Sequence, residues 1–107
     1  MMLEELFKVV EARANASPDD SWTAKLLSKG PEKCVEKFGE EAVETIIEAV
    51  KQNRTGLIKE SADVLFHLCV LLKSHNITLS DVMDELASRQ SESGLAEKAS
   101  RLTSDLQ

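Results

Sequence analysis

Two pairs of carboxylates, Glu41 with Glu44 and Glu60 with Asp63, sit three residues apart in two adjacent segments of helical character. Residues at i and i+3 share a helix face, so each pair is a two-carboxylate unit. The second pair opens an almost wholly apolar run in which only His67, between Val64 and Leu72, is not hydrophobic. At about 100° per residue, Glu60, Asp63 and His67 fall within one narrow arc. Apolar side chains take the rest of the circumference, and a helix that is hydrophobic all round is normally buried. Buried acids are rare unless paired or metal-bound, so Asp63 is expected among apolar neighbours with a cation facing it.

If the two segments pair across the turn at Asn53–Gly56, the four acids converge. Four anions cannot share a low-dielectric site without raised pKa values or bound cations. Carboxylate oxygens are hard ligands that suit Mg²⁺, with Mn²⁺ as a substitute, and Mg²⁺ commonly bridges carboxylates to substrate phosphates. The matching reaction class is metal-assisted hydrolysis of a phosphoanhydride. A plainer reading stands beside this one for Glu41 and Glu44, a solvated helix face shared with Lys37 and Glu48. His67 is either a core histidine bonded to an acid or a group that orients a metal-bound water. One His with no Cys on the same face does not make a zinc site. Lys25, Lys29 and Lys33 flank Gly30-Pro31 near a helix N-terminus, where amides favour anions; on residue type alone they read first as surface lysines beside a turn. No P-loop or dinucleotide fingerprint is present.

The elements that must position these residues are helices joined by short punctuated connections. Residues 3–15 place Leu3, Leu6, Phe7 and Val10 on one face. Ser17-Pro18-Asp19-Asp20 is turn chemistry. Residues 22–29 are short and mixed, after which Pro31 suits a first helical position and Glu32 complements the helix dipole. The helix over residues 31–52 carries the stripe Val35, Phe38, Ala42, Ile46 and Ala49 as its expected inner face. The apolar helix follows and ends near Ser74, with His75-Asn76 as its stop. Thr78 with Asp81 resembles a capping box, starting a helix to about residue 90 whose expected inner face is Leu79, Val82, Met83 and Leu86. The last stretch, beyond residues 91–94, is expected to be a short helix with a frayed end. No strand-period segment or internal repeat is present. The reading is all-α, an antiparallel bundle of four to five helices in a single domain over residues 1–107.

A net charge of −6 argues against a nucleic-acid partner, which Lys and Arg would have to neutralise. Cys34 and Cys69 lack CxxC spacing and are expected as buried, reduced thiols. No segment approaches the ~20 apolar residues of a membrane span, and the acidic N-terminus lacks a signal-peptide core. Cytoplasmic location is expected, with no membrane partner.

The run Trp22-Thr23-Ala24-Lys25-Leu26-Leu27-Ser28-Lys29-Gly30-Pro31-Glu32-Lys33, continuing through Lys37-Phe38-Gly39-Glu40-Glu41-Ala42-Val43-Glu44, resembles phosphoribosyl-ATP pyrophosphohydrolases. The later segment from Glu60 to Leu68 is similar to the same family, and the resemblance covers roughly residues 3–89. More broadly the chain resembles the all-α MazG-like superfamily, whose signature is ExxE followed by ExxD. Here these are Glu41/Glu44 and Glu60/Asp63, with 15 residues between them. The resemblance implies Mg²⁺-dependent hydrolysis of 1-(5-phosphoribosyl)-ATP to phosphoribosyl-AMP and pyrophosphate, the second step of histidine biosynthesis. It implies that Glu41, Glu44, Glu60 and Asp63 are the catalytic metal ligands, with Lys25, Lys29, Lys33 and Arg89 as substrate contacts. It also implies a helical homodimer or larger assembly. Nothing matches the cyclohydrolase to which many relatives are fused, so a stand-alone enzyme is expected. Two other readings compete: a house-cleaning pyrophosphohydrolase of free nucleoside triphosphates, and a non-catalytic helical dimerisation module. The acidic motifs alone do not separate the two enzymes; the segment from Thr23 to Lys33 favours phosphoribosyl-ATP.

Overall fold

The computed structural model describes residues 1–90 together with Gly94, Lys98, Ala99, Arg101 and Leu102. The short C-terminal helix expected after residue 94 therefore falls largely outside the described residues. Five helices succeed one another over residues 1–90: α1 (Leu3–Ala14), α2 (Trp22–Ser28), α3 (Pro31–Val50), α4 (Arg54–Ser74) and α5 (Leu79–Ser88). No strand occurs among the described residues. The fold is all-α.

Local chemistry sets the boundaries. Ser21 Oγ accepts a hydrogen bond from Ala24 N at 3.2 Å and caps α2. Gly30 then adopts φ +94°, a left-handed conformation that a side chain would strain, and Pro31 opens α3 at its first position. Asn53 Oδ1 accepts from Gly56 N at 3.1 Å to start α4. Thr78 and Asp81 form a reciprocal capping box, each side-chain oxygen accepting the other residue's backbone N–H at 3.1 Å.

The frame is the long hairpin of α3 and α4, joined by the tight turn at residues 51–53, so the two helices run antiparallel. α1 and α2 pack on this hairpin and on each other, and α5 rests on α1. The core gathers at one end: Phe7 and Val10 of α1, Leu26 of α2, Cys34 at the start of α3, Cys69 and Val70 late in α4, and Leu79. Both cysteines are free and buried, and Cys34 Sγ contacts the Leu26 carbonyl at 3.7 Å.

Two expected inner faces are not buried. On α3 only Cys34 is fully enclosed. Phe38 and Ala42 are half-buried, while Val35, Ile46 and Ala49 lie exposed, Ile46 at 61 %. On α5 only Leu79 is buried, with Met83 and Leu86 exposed. The physical reason is common to both. A periodic stripe marks a face that wants cover, and within one chain α1 and α2 cover only the core end of the hairpin. Val43, Ile46, Ile47 and Val50 of α3, with Ile58 and Leu65 of α4, are left as an exposed apolar surface, of the kind that marks interaction sites.

Candidate carboxylate metal site

Midway along the hairpin the acids of α3 meet those of α4. Glu41, Glu60 and Asp63 each bring one carboxylate oxygen within 4.8 Å of the others. Glu44 lies beside them, close enough to Glu60 to raise the pKa of that carboxyl. The i, i+3 spacing puts each pair on one face, and the antiparallel pairing turns the two faces toward each other. All four acids singled out by spacing are thus neighbours.

The burial expected of Asp63 is corrected: it is exposed, as is Glu44, whereas Glu41 and Glu60 are half-buried. Fully buried residues on α4 begin only at His67. The acids therefore sit at the edge of the core and open to solvent on one side. Two oxygens are nevertheless sealed: Glu41 Oε2 and Glu60 Oε2 are buried with no hydrogen-bond partner among the described residues. A sealed, unpaired carboxylate oxygen is costly unless a proton or a cation meets it.

The protonation equilibria carry the same signature. The Glu60 carboxyl is raised to about 7, first by the side chain of Glu44 and then by that of Glu41, with loss of water adding to the effect. Burial pushes Glu41 upward, and the charges of Glu44 and Asp63 reinforce it. Two neighbouring carboxylates that resist joint ionisation either hold a proton or take up a cation. The donor set is all carboxylate oxygen, which fits Mg²⁺ or Mn²⁺ and does not fit a thiophilic metal.

His67 lies one turn beyond Asp63 and is 6 % exposed. Its Nδ1 has no partner among the described residues, so that atom does not make the acid bond expected of a core histidine. Burial holds its pKa below the usual value, and the charge of Lys37 adds to this against Asp63 and Glu40. Its ring meets Phe66 edge to face, with centroids 5.1 Å apart.

Among the described residues, none of the basic residues singled out from the sequence takes part in an ion pair with the four acids. Lys25 and Lys29 are exposed on and just after α2. Lys33 pairs with Glu36 at 3.3 Å and lies eight residues before Glu41, ~12 Å along the helix axis. Arg89 is engaged by Glu85 at 2.9 Å, at the end of a helix that rests on α1.

Sequence reasoning passed over Glu48, which had seemed part of a solvated face. Its Oε2 is buried without a hydrogen-bond partner, and the carboxylate presses on Gly56 where α4 begins. A Cβ at Gly56 would meet the Glu48 carboxylate and, at 2.8 Å, Asn53 Nδ2. The visible signal was the i+7 spacing from Glu41, together with a glycine just inside a helix start.

Fold and site together define an all-helical protein with a cluster of carboxylates that could hold a metal ion. The phosphoribosyl-ATP pyrophosphohydrolase family profile matches residues 3–90. The chain is 60 % identical over 100 residues to the phosphoribosyl-ATP pyrophosphatase of Ruegeria pomeroyi, covering 94 % of this chain and 95 % of that protein. It is 61 % identical to proteins of the same name from Cereibacter sphaeroides, over 94 % of this chain and 97 % of that one, and from Paracoccus denitrificans, over 92 % of each. The chain belongs to the phosphoribosyl-ATP pyrophosphohydrolase family.

The raised Glu60 pKa fixes a sign for stability. Between the ordinary carboxylate range and about pH 7 the folded chain holds a proton that the unfolded chain has lost. This carboxyl therefore makes stability of the metal-free protein fall as pH rises through that window, against the buried His67, whose lowered pKa works in the opposite direction. In EDTA the Tm of the wild type should fall relative to that of Glu60→Gln between about pH 4.5 and 7. A wild-type Tm that rises relative to that variant over the same window would contradict the raised Glu60 pKa.

Proposed function

We propose that the chain hydrolyses 1-(5-phosphoribosyl)-ATP to 1-(5-phosphoribosyl)-AMP and pyrophosphate, the second step of histidine biosynthesis, with Mg²⁺ held by the acids of α3 and α4. The observation that carries the reading is the meeting of Glu41, Glu60 and Asp63 within 4.8 Å, with two of their oxygens sealed and unpartnered. Membership of the family supplies the substrate.

Glu41, Glu60 and Asp63 hold the cation in this reading, and Glu44, beside Glu60, completes the set. When bound, Mg²⁺ offsets the negative charge of the triphosphate and lowers the pKa of a coordinated water. Water adds to the α- or the β-phosphorus, the P–O bond of the bridge between them breaks, and phosphoribosyl-AMP and pyrophosphate are released. The open side of the cluster, where Asp63 and Glu44 are exposed, is the substrate's approach. Lys25, Lys29, Lys33 and Arg89 are the substrate contacts in this reading, meeting its phosphate or phosphoribosyl groups while the acids hold the metal. An acidic chain so binds an anionic substrate through metal.

The working unit is a homodimer. The exposed surface from Val43 to Val50, with Ile58 and Leu65, lies on the part of the hairpin that α1 and α2 leave bare. A second copy covers it and completes the bundle. The enzyme is cytoplasmic and forms a single domain over residues 1–107. No helix among the described residues is long and apolar enough to cross a membrane.

Pyrophosphate release from phosphoribosyl-ATP should require Mg²⁺, cease in EDTA, and exceed release from ATP or dUTP. Glu44→Ala and Asp63→Ala should each abolish it while leaving the helical circular dichroism intact, since both residues are exposed. Retained activity in both variants would sink the metal site, and faster turnover of free triphosphates would move the substrate to the house-cleaning class. Sedimentation equilibrium should give twice the chain mass, and Ile46→Glu should shift it toward one. A wild-type monomer at micromolar concentration would remove the dimer.

A further inference from the structure

We propose that the cavity between the end of α1, the turn before α2 and Phe66 of α4 receives the purine base of phosphoribosyl-ATP, stacked on Trp22. The proposal rests on the substrate assigned above. The cavity has a volume of about 410 Å³ and is lined by Arg13, Ala16, Asp20, Trp22, Thr23 and Phe66, among others, within the usual size range of small-molecule sites.

Its position relative to the acids comes from α4. Phe66 follows Asp63 by three residues, which puts their Cβ atoms ~5–6 Å apart on adjoining parts of the helix surface. The Phe66 ring is braced from behind by the buried ring of His67, in edge-to-face contact at 5.1 Å. A triphosphate held at Glu41, Glu60 and Asp63 can therefore run past Asp63 and set its base down beside Phe66. Trp22, the single tryptophan of the chain, is 50 % exposed, so part of its indole is open to a planar partner.

The chemistry of the lining selects among bases. In phosphoribosyl-ATP the adenine is substituted at N1, and at neutral pH such a ring keeps a proton on its exocyclic nitrogen and is cationic. The adenine of ATP is neutral. A cation over an indole face is attracted by the ring quadrupole, most strongly for tryptophan. Asp20 in the same wall supplies the counter-charge. The same base carries the phosphoribosyl group and its phosphate, and Arg13 brings to that wall a guanidinium for which no ion pair occurs among the described residues. Indole, carboxylate and guanidinium together match a cationic purine with an appended phosphate. ATP would gain the stacking alone. The cavity thus separates phosphoribosyl-ATP from ATP, a distinction that the acid cluster, which meets only the triphosphate, does not make.

The single tryptophan makes the test direct. Its fluorescence is followed while the Mg²⁺-loaded protein is titrated with N1-methyladenosine 5′-monophosphate and, separately, with AMP. In parallel, kcat/KM is measured for phosphoribosyl-ATP and ATP in the wild type, Trp22→Leu, Trp22→Phe and Asp20→Asn. Quenching by the methylated nucleotide at lower concentration than by AMP is expected. Trp22→Leu should lower kcat/KM for phosphoribosyl-ATP on the order of 10-fold to 100-fold, Trp22→Phe should restore most of it, and Asp20→Asn should narrow the preference over ATP. Unquenched fluorescence, or wild-type kcat/KM in Trp22→Leu, would overturn the subsite while leaving the hydrolase reading in place. A wild-type chain that does not turn over phosphoribosyl-ATP would overturn both.

Discussion

Like charges held close together between two helices are the constraint around which this molecule is arranged. Glu41 and Glu44 on α3 oppose Glu60 and Asp63 on α4, with three of the carboxylates within 4.8 Å. In water such repulsion is modest, but it grows as the effective dielectric falls. The chain relieves part of it by leaving Asp63 and Glu44 exposed, and part by a Glu60 carboxyl whose pKa is raised to about 7. What stays unrelieved is the burial of the unpartnered oxygens of Glu41 and Glu60, which a bound cation would offset.

The surrounding structure follows from that demand. A hairpin lined with acids midway cannot also bury an apolar core there, so the core is displaced to the end where Cys34 faces Cys69 and Val70, and α1 and α2 gather there. The far end closes by a turn of three residues and by the contact of Glu48 with Gly56, which only a residue without Cβ allows unless neighbours shift. The apolar residues of α3 between Val43 and Val50 are left bare. In the proposed dimer that exposed surface and the acid site are two consequences of one arrangement.

The helices and the acid pairs were legible in the sequence because both depend on local spacing. Pro31 at the first position of α3, the Thr78–Asp81 capping box and the stop at His75 all follow from short-range chemistry and all stand in the structure. Burial was legible only in part: Phe7, Val10, Leu79 and both cysteines are buried as their spacing and type imply, but other faces are not. The stripe of Val35, Ile46 and Ala49, the α5 face of Met83 and Leu86, and the position of Asp63 each had a periodicity that marked a face without saying what covers it. That depends on the helices that pack nearby, here α1 and α2, whose positions no spacing rule gives. Glu48 was visible at i+7 from Glu41, but its sealed oxygen depends on contact with Gly56. The cavity at Trp22 was still less accessible, since its walls come from Arg13, from the turn before α2 and from Phe66, far apart in the chain.

The central claim is that a hard divalent cation bridges α3 and α4 through these acids, and anomalous diffraction from crystals grown with Mn²⁺ tests it most directly. The account predicts a strong anomalous peak among the carboxylates of Glu41, Glu60 and Asp63, absent from crystals of Asp63→Asn grown in the same way. Peaks confined to other surface carboxylates, with none between the two helices, would contradict it.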